Sequence, residues 1–142
     1  MKKVVTWILI ANGTQARVLE HGGPGKGLTS IKGLEWSIPP LQTQEIDSDR
    51  QGRGPTGGAM EARTDPAQHR EAVFVKSVAT ALEEKQGEFD RLVISAAPIA
   101  LGNLRKALSE GVKKRIVGEL DKDLTNVPTA QLSKHFDGII AV

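Results

Sequence analysis

Glu119, Asp121 and Asp123 alternate along the segment GELDKDLT, so in an extended backbone their three carboxylates share one face. Such a row of hard oxygen donors suits a divalent cation, and paired cations of that kind drive phosphoryl-transfer nucleases. The first apolar stretch, TWILIAN, offers no carboxylate to complete a two-metal site. An acidic row near a strand end is more often simply solvated, and that reading is preferred. His21, His69 and His135 are far apart and show no HExxH or paired-ligand spacing, so no metal is assigned to them. Ser95 lacks the GxSxG turn that presents a nucleophile and reads as a small residue packed beneath a helix start. The chain has no cysteine, which excludes thiolate chemistry and disulfides. No catalytic residue, metal ligand or cofactor is assigned.

The remaining chemistry is cationic. Residues 50–66, RQGRGPTGGAMEARTDP, carry Arg50, Arg53 and Arg63 among Gly52, Gly54, Gly57 and Gly58, with no apolar run to bury. This composition predicts a basic surface loop within residues 37–64, able to meet phosphates. The plainer alternative is a connection that tolerates insertions, although a structureless stretch this long is unusual in a small domain. Asp65, Pro66 and Gln68 then have the form of a helix start, with Asp65 as cap, Pro66 at the first helical position and Gln68 returning a bond. A second group, Arg105, Lys106, Lys113, Lys114 and Arg115, lies along and just beyond the second predicted helix, with only Glu110 between them. Favourable charge near a helix C-terminus accounts for these cations, and phosphate contact is the alternative. If both groups touch phosphates, binding falls steeply with salt.

The elements that must position these groups are legible in the periodicity. A chain of 142 residues and 15.2 kDa is the size of one domain, spanning residues 1–142. Its net charge of +2 and pI near 9.0 permit a nucleic-acid partner without requiring one. The start, MKKVVTWILIANG, has no small-residue cleavage site and reads as a core strand of a cytoplasmic protein. No segment approaches the length of a membrane span. Val4 to Ala11 is nearly continuous in apolarity, as in a central strand covered on both faces. Asn12-Gly13 then predicts a hairpin to a second strand, Thr14 to His21, and Leu28 to Trp36 reads as a third.

After Pro66 the period moves toward 3.6, with Phe74, Val75, Val78, Ala81 and Leu82 forming the apolar stripe of a helix that runs to Gln86 and stops at Gly87. Phe89 to Ala97 reads as a buried strand, and Pro98 opens a helix through Val112 with Leu101, Leu104 and Leu108 inward. Arg115 to Leu120 reads as a fifth strand, Pro128 to Phe136 as a third helix, and Ile139 to Val142 as an apolar tail docking on the sheet. The aromatic residues Trp7, Trp36, Phe74, Phe89 and Phe136 mostly fall in apolar patterns, which argues against base-stacking recognition. These elements pack most simply as a mixed five-stranded sheet of order 3-2-1-4-5 with helices on its faces, a ribonuclease H-like α/β arrangement. Its carboxyl ends at Asn12 and at Ser95-Ala96 border the crevice where such sheets place ligands.

WILIANGTQARVL, the junction RTDPAQH, the run FDRLVISAAPIALGNLRKAL and GELDKDLT together resemble the bacterial host-attachment protein family, described as required for attachment to host cells. The resemblance covers nearly the whole chain. That family is in turn similar to the middle domain of archaeal and eukaryotic peptide-chain release factors, where the loop entering a long helix bears a Gly-Gly-Gln. Gly57 and Gly58 match the two glycines, but Ala59 stands where glutamine would be. Alanine has no polar group to orient a water, so peptidyl-tRNA hydrolysis by that route does not follow. What the resemblance implies is docking on the ribosome, ribosomal RNA or tRNA through the loop. The nucleic-acid contacts would be Arg50, Arg53, Gly57, Gly58 and Arg63, joined by Arg105, Lys113, Lys114 and Arg115. Asn12, Arg17, Asp65, His69 and Asp123 match family positions without assigned chemistry, and capping is role enough for Asp65. The expectation is an RNA- or ribosome-binding module that is not an enzyme. The alternatives are an attachment protein working through a protein or surface partner, and a peptidyl-tRNA or RNA hydrolase with an unrecognised catalytic group.

Overall fold

The structure is a computed structural model describing residues 4–22, 27–39, 66–136 and 138–139. Strand β1 (Thr6–Ala11) is buried along its whole length, which its TWILIA sequence requires, because each side chain must find an apolar partner on one face or the other. Ile8, Leu9 and Ile10 lose all solvent contact. Each such side chain contributes about 1.5–3 kcal/mol. Antiparallel β2 (Gln15–His21) flanks β1 on one side and parallel β4 (Arg91–Ala96) on the other. With β3 (Leu28–Ser37) beyond β2 and β5 (Ile116–Leu120) beyond β4, the sheet has the order β3-β2-β1-β4-β5 expected from the sequence.

The β1–β2 connection is a three-residue turn, Asn12 to Thr14, closed by the Asn12 N–H donating to the Gln15 carbonyl at 2.9 Å. Gly13 does not take the positive φ of a two-residue type I′ turn. A Cβ there would meet the Glu71 carboxylate, so any larger residue at this position would make the Glu71 side chain swing aside. Gly33 is the conformational case, with φ +87 inside the irregularity where the β2–β3 register shifts between Arg17 and Leu19.

The two faces of the sheet are covered unequally. Helix α1 (Pro66–Glu84) buries Phe74, Val75, Val78, Ala79 and Leu82 against Trp7, Leu9, Ala16 and Val18. Ala79 takes the inward place expected of Ala81, which is half-buried. The helix stops at Glu84, and Gln86–Glu88 makes a tighter turn before β4. Helix α2 (Pro98–Ala107) adds Ala100, Leu101 and Leu104 to the same layer. It ends short of Val112. Leu108 becomes extended, and Ser109 caps a separate turn, α3 (Glu110–Lys113), by accepting the Val112 N–H at 3.3 Å.

Among the described residues, the opposite face, with Ile8, Ile10, Leu19 and Val93, is covered by the C-terminal segment through Leu124, Leu132 and Phe136. The third helix is shorter than expected: α4 (Thr129–Leu132) passes into a tighter turn, Ser133–Phe136. Ile139 packs on this second core, and residues 140–142 of the expected tail lie outside the described residues. Residues 40–65, which include Arg50, Arg53, Gly57, Gly58, Arg63 and the Asp65 cap, lie outside the described residues.

Candidate functional site

Asn12 stands where β1 ends, and its side chain is bonded on both sides. Its Oδ1 accepts the backbone N–H groups of Thr14 and Gln15, both at 2.8 Å, which is how an asparagine shapes a turn without αL backbone. Its Nδ2 donates to Asp123 Oδ2 and to Thr125 Oγ1, both at 3.0 Å. Asp123 in turn receives the Thr125 N–H at 3.0 Å and the Thr125 hydroxyl at 2.5 Å. Burial is the strongest single influence on the Asp123 carboxyl and acts to raise its pKa. The Thr125 hydroxyl, the Asn12 amide and the Thr125 N–H outweigh it together and hold the group below its ordinary value.

Arg17, on the neighbouring strand, fastens the next stretch of the same segment. Its Nη2 donates to the Val127 carbonyl at 2.5 Å and its Nη1 to Thr129 Oγ1 at 3.3 Å. Three positions singled out in sequence, Asn12, Arg17 and Asp123, thus act on one stretch, residues 123–129. The partners Thr125, Val127 and Thr129 were missed, although Asp-Leu-Thr has the i, i+2 spacing of an Asx turn. Beside this clamp a cleft of about 370 Å³ opens between Gln15, Arg17, Glu35, Trp36 and Thr125.

A second cleft, of about 490 Å³, lies across the turn at the carboxyl ends of β1 and β4, walled by Asn12, Gly13, Glu71, Pro98 and Ile99. It is the crevice expected from the sheet order. The described residues on either side of positions 40–65 are tied down near this turn. The Ile38 N–H donates to the Thr14 carbonyl at 2.8 Å, and the Arg70 guanidinium donates to the Pro39 carbonyl.

Other sequence candidates are placed apart from this end. Ser95 is fully buried and donates its hydroxyl to the Lys122 carbonyl at 2.7 Å, tying β4 to the chain beyond β5. Arg105 meets Glu119 Oε1 through Nε at 3.1 Å and Nη2 at 2.6 Å. The acidic row is therefore divided between two partners, Arg105 for Glu119 and Asn12 for Asp123. Among the described residues no three His, Asp or Glu side chains gather as metal ligands. Lys113 and Lys114 are exposed, whereas Arg115 is half-buried with its guanidinium 5.9 Å from the Phe89 ring centre. These three precede β5, at the opposite end of β4 from the crevice. A six-residue strand puts roughly 20 Å between the two ends. His69 is exposed on α1, on the face of the sheet away from the Arg17 contacts.

The molecule is thus a mixed α/β domain of ribonuclease H-like arrangement, with a polar clamp and a crevice at the carboxyl end of its central strand. It belongs to the family described as "Protein required for attachment to host cells", whose model matches residues 7–136. Among solved structures it is similar to an archaeal translation termination factor, aRF1, at 16% identity and a TM-score of 0.49, over 92% of this chain and 37% of that one. It is also similar to the type II variant of the Aquifex aeolicus Ppx/GppA phosphatase, at 14% identity and a TM-score of 0.36, over 83% and 35%. This chain therefore spans little more than a third of either structure's length. No curated protein matches it.

Proposed function

We propose that the protein is a release-factor-like module that binds RNA or the ribosome by docking its basic Gly-rich segment on ribosomal RNA or tRNA, in the cytoplasm. The observation that carries the reading is the closure of that segment's two ends. The chain leaves the described fold at Pro39, whose carbonyl is held by Arg70, one helical turn beyond its return at Pro66. A cationic stretch whose flanking residues, Pro39 and Pro66, stand close together would be presented from one place on the fold, at small cost in loop closure. Arg50, Arg53 and Arg63 supply the phosphate contacts, and Gly57 and Gly58 allow close backbone approach. Ala59 stands where the release factors carry glutamine and has no polar side-chain group to orient a water, which favours binding over hydrolysis by that route.

The test is co-sedimentation with bacterial ribosomes at low and moderate salt, beside a variant with Arg50, Arg53 and Arg63 changed to alanine. Salt-sensitive binding is expected, and the variant should flatten the log-log salt slope by about two to three units, at roughly 0.7–0.9 per lost contact. No binding by either protein removes the ribosome from consideration. The family's description favours a second reading, a role in attachment through a protein or surface partner. Recovery of the protein at the outer cell surface on fractionation would select it over the first. No helix among the described residues is long and apolar enough to cross a membrane.

A further inference from the structure

We propose that Asn12-Gly13 is a latent deamidation site, held closed by Asp123 and Thr125, whose conversion releases the 121–127 segment from the β1–β2 turn. An asparagine followed by glycine is the pair in which this reaction is easiest, because no side chain shields the following backbone nitrogen. The Gly13 nitrogen loses its proton to solvent base and attacks Asn12 Cγ. Nδ2 takes up a proton from solvent, the Cγ–Nδ2 bond breaks and the nitrogen leaves as ammonia. The resulting succinimide takes up one water at either carbonyl, giving aspartate or isoaspartate. No oxidant or reductant is involved.

The native geometry opposes the first step. To reach the Gly13 nitrogen, the Asn12 amide must turn away from the Thr14 and Gln15 N–H groups on Oδ1 and from Asp123 and Thr125 on Nδ2. The leaving nitrogen is itself the donor to Asp123. Once formed, an aspartate at position 12 still accepts the Thr14 and Gln15 N–H groups but cannot replace the two bonds that Nδ2 donates. Both donors are lost, and a carboxylate oxygen comes to stand where Nδ2 stood, 3.0 Å from Asp123 Oδ2. Two carboxylates at that separation do not both ionise without cost. Isoaspartate adds a backbone carbon to the turn as well. Either product works against the clamp, and the change is one-way.

Peptide mass spectrometry on the full chain at neutral pH reads the exchange of NH2 for OH at Asn12. Asn103 and Asn126, followed by Leu104 and Val127, serve as internal references. The native protein should convert far more slowly than the same protein held in denaturant. With both variants confirmed folded by circular dichroism, Asp123→Ala should convert roughly 10- to 100-fold faster than the native chain, the rate equivalent of a hydrogen bond to a charged group, and Thr125→Val roughly 3- to 10-fold faster, that of a neutral one. If Asp123→Ala does not fold, Thr125→Val decides, since it keeps the carboxylate. The closed-site proposal is overturned if native and denatured protein convert alike, or if the folded variants keep the native rate. Aged protein and Asn12→Asp should both be cut faster by protease within residues 121–127, and unchanged cutting there overturns the release.

Discussion

Asn12 and Asp123, 111 positions apart in the chain, are joined by a hydrogen bond of 3.0 Å that fastens the first turn of the sheet to the segment leaving its last strand. The segment so fastened is the only cover, among the described residues, for the apolar face around Ile8, Ile10 and Val93. Asn12→Ala removes this bond and the turn-shaping acceptor, and should cost about 1–2 kcal/mol. Asp123→Ala, at a more exposed position, should cost about 1 kcal/mol. The double variant should cost less than the sum, because both remove the same contact. Urea midpoints of the four proteins test this, and strict additivity would mean that the bond contributes nothing in solution.

The same carboxylate sets an acid limb. Asp123 is held below its ordinary value of 3.8, so the unfolded chain binds its proton first as pH falls. Its contribution is complete above the unfolded value and is lost as pH drops through the folded one, a window that opens near 3.8 and extends below it. Asp123→Asn should flatten stability against pH in that window and leave the slope near neutrality alone. An unchanged acid limb would show that Asp123 titrates alike in both states.

His21 sets a second limb at higher pH. It is 5% exposed, and its pKa is lowered first by burial and then by the Arg91 guanidinium. Since the folded value lies below the unfolded 6.5, stability is full above 6.5 and falls as pH drops below it. Chemical denaturation at about pH 5 and pH 7 should show this loss in the native protein and a smaller one in His21→Gln. Arg91→Ala should also reduce it. Equal pH dependence in all three would remove His21 from the account.

Ser95 was legible as a small residue under a helix start, but not as a donor. Its hydroxyl has the Lys122 carbonyl as acceptor only because β5 folds back beside β4, a relation 27 residues long in sequence. Ser95→Ala leaves that carbonyl without its buried donor and should cost about 1–3 kcal/mol. A shift in denaturation midpoint too small to measure would show that water replaces the hydroxyl.

The strand order was readable because β1 had to be central: six consecutive buried residues leave no solvent face. The break between α2 and α3 was also written in the chain, since Ser109 is a capping residue followed by Glu110, yet the continuing leucines concealed it. The clamp was only half legible. Asn12, Arg17 and Asp123 stood out as family-motif positions, but the Val127 carbonyl that Arg17 binds is a backbone atom and leaves no mark in residue type. Nor could charge order alone show that Glu119 neutralises Arg105 while Lys113 and Lys114 stay exposed.

That pairing makes the cations of α2 and α3 separable by experiment. Arg105 holds a single Glu119 oxygen through two nitrogens at a site 61% exposed on the arginine side, so the pair contributes little to stability, about 0.2–1 kcal/mol. Its larger effect is on what Arg105 is free to bind. Under the proposed RNA-binding role, Glu119→Gln releases the guanidinium for phosphate without removing the side chain that packs beside it. Affinity for ribosomal RNA should then rise, and the log-log salt slope should steepen by roughly 0.7–0.9, the value of one added phosphate contact. Lys113→Ala with Lys114→Ala should move the slope the other way by up to two such steps. If Glu119→Gln leaves both affinity and slope unchanged while the lysine variant lowers them, Arg105 belongs to the fold and not to the binding surface. If neither variant alters binding, the phosphate contacts lie elsewhere, and Arg50, Arg53 and Arg63 are the candidates left.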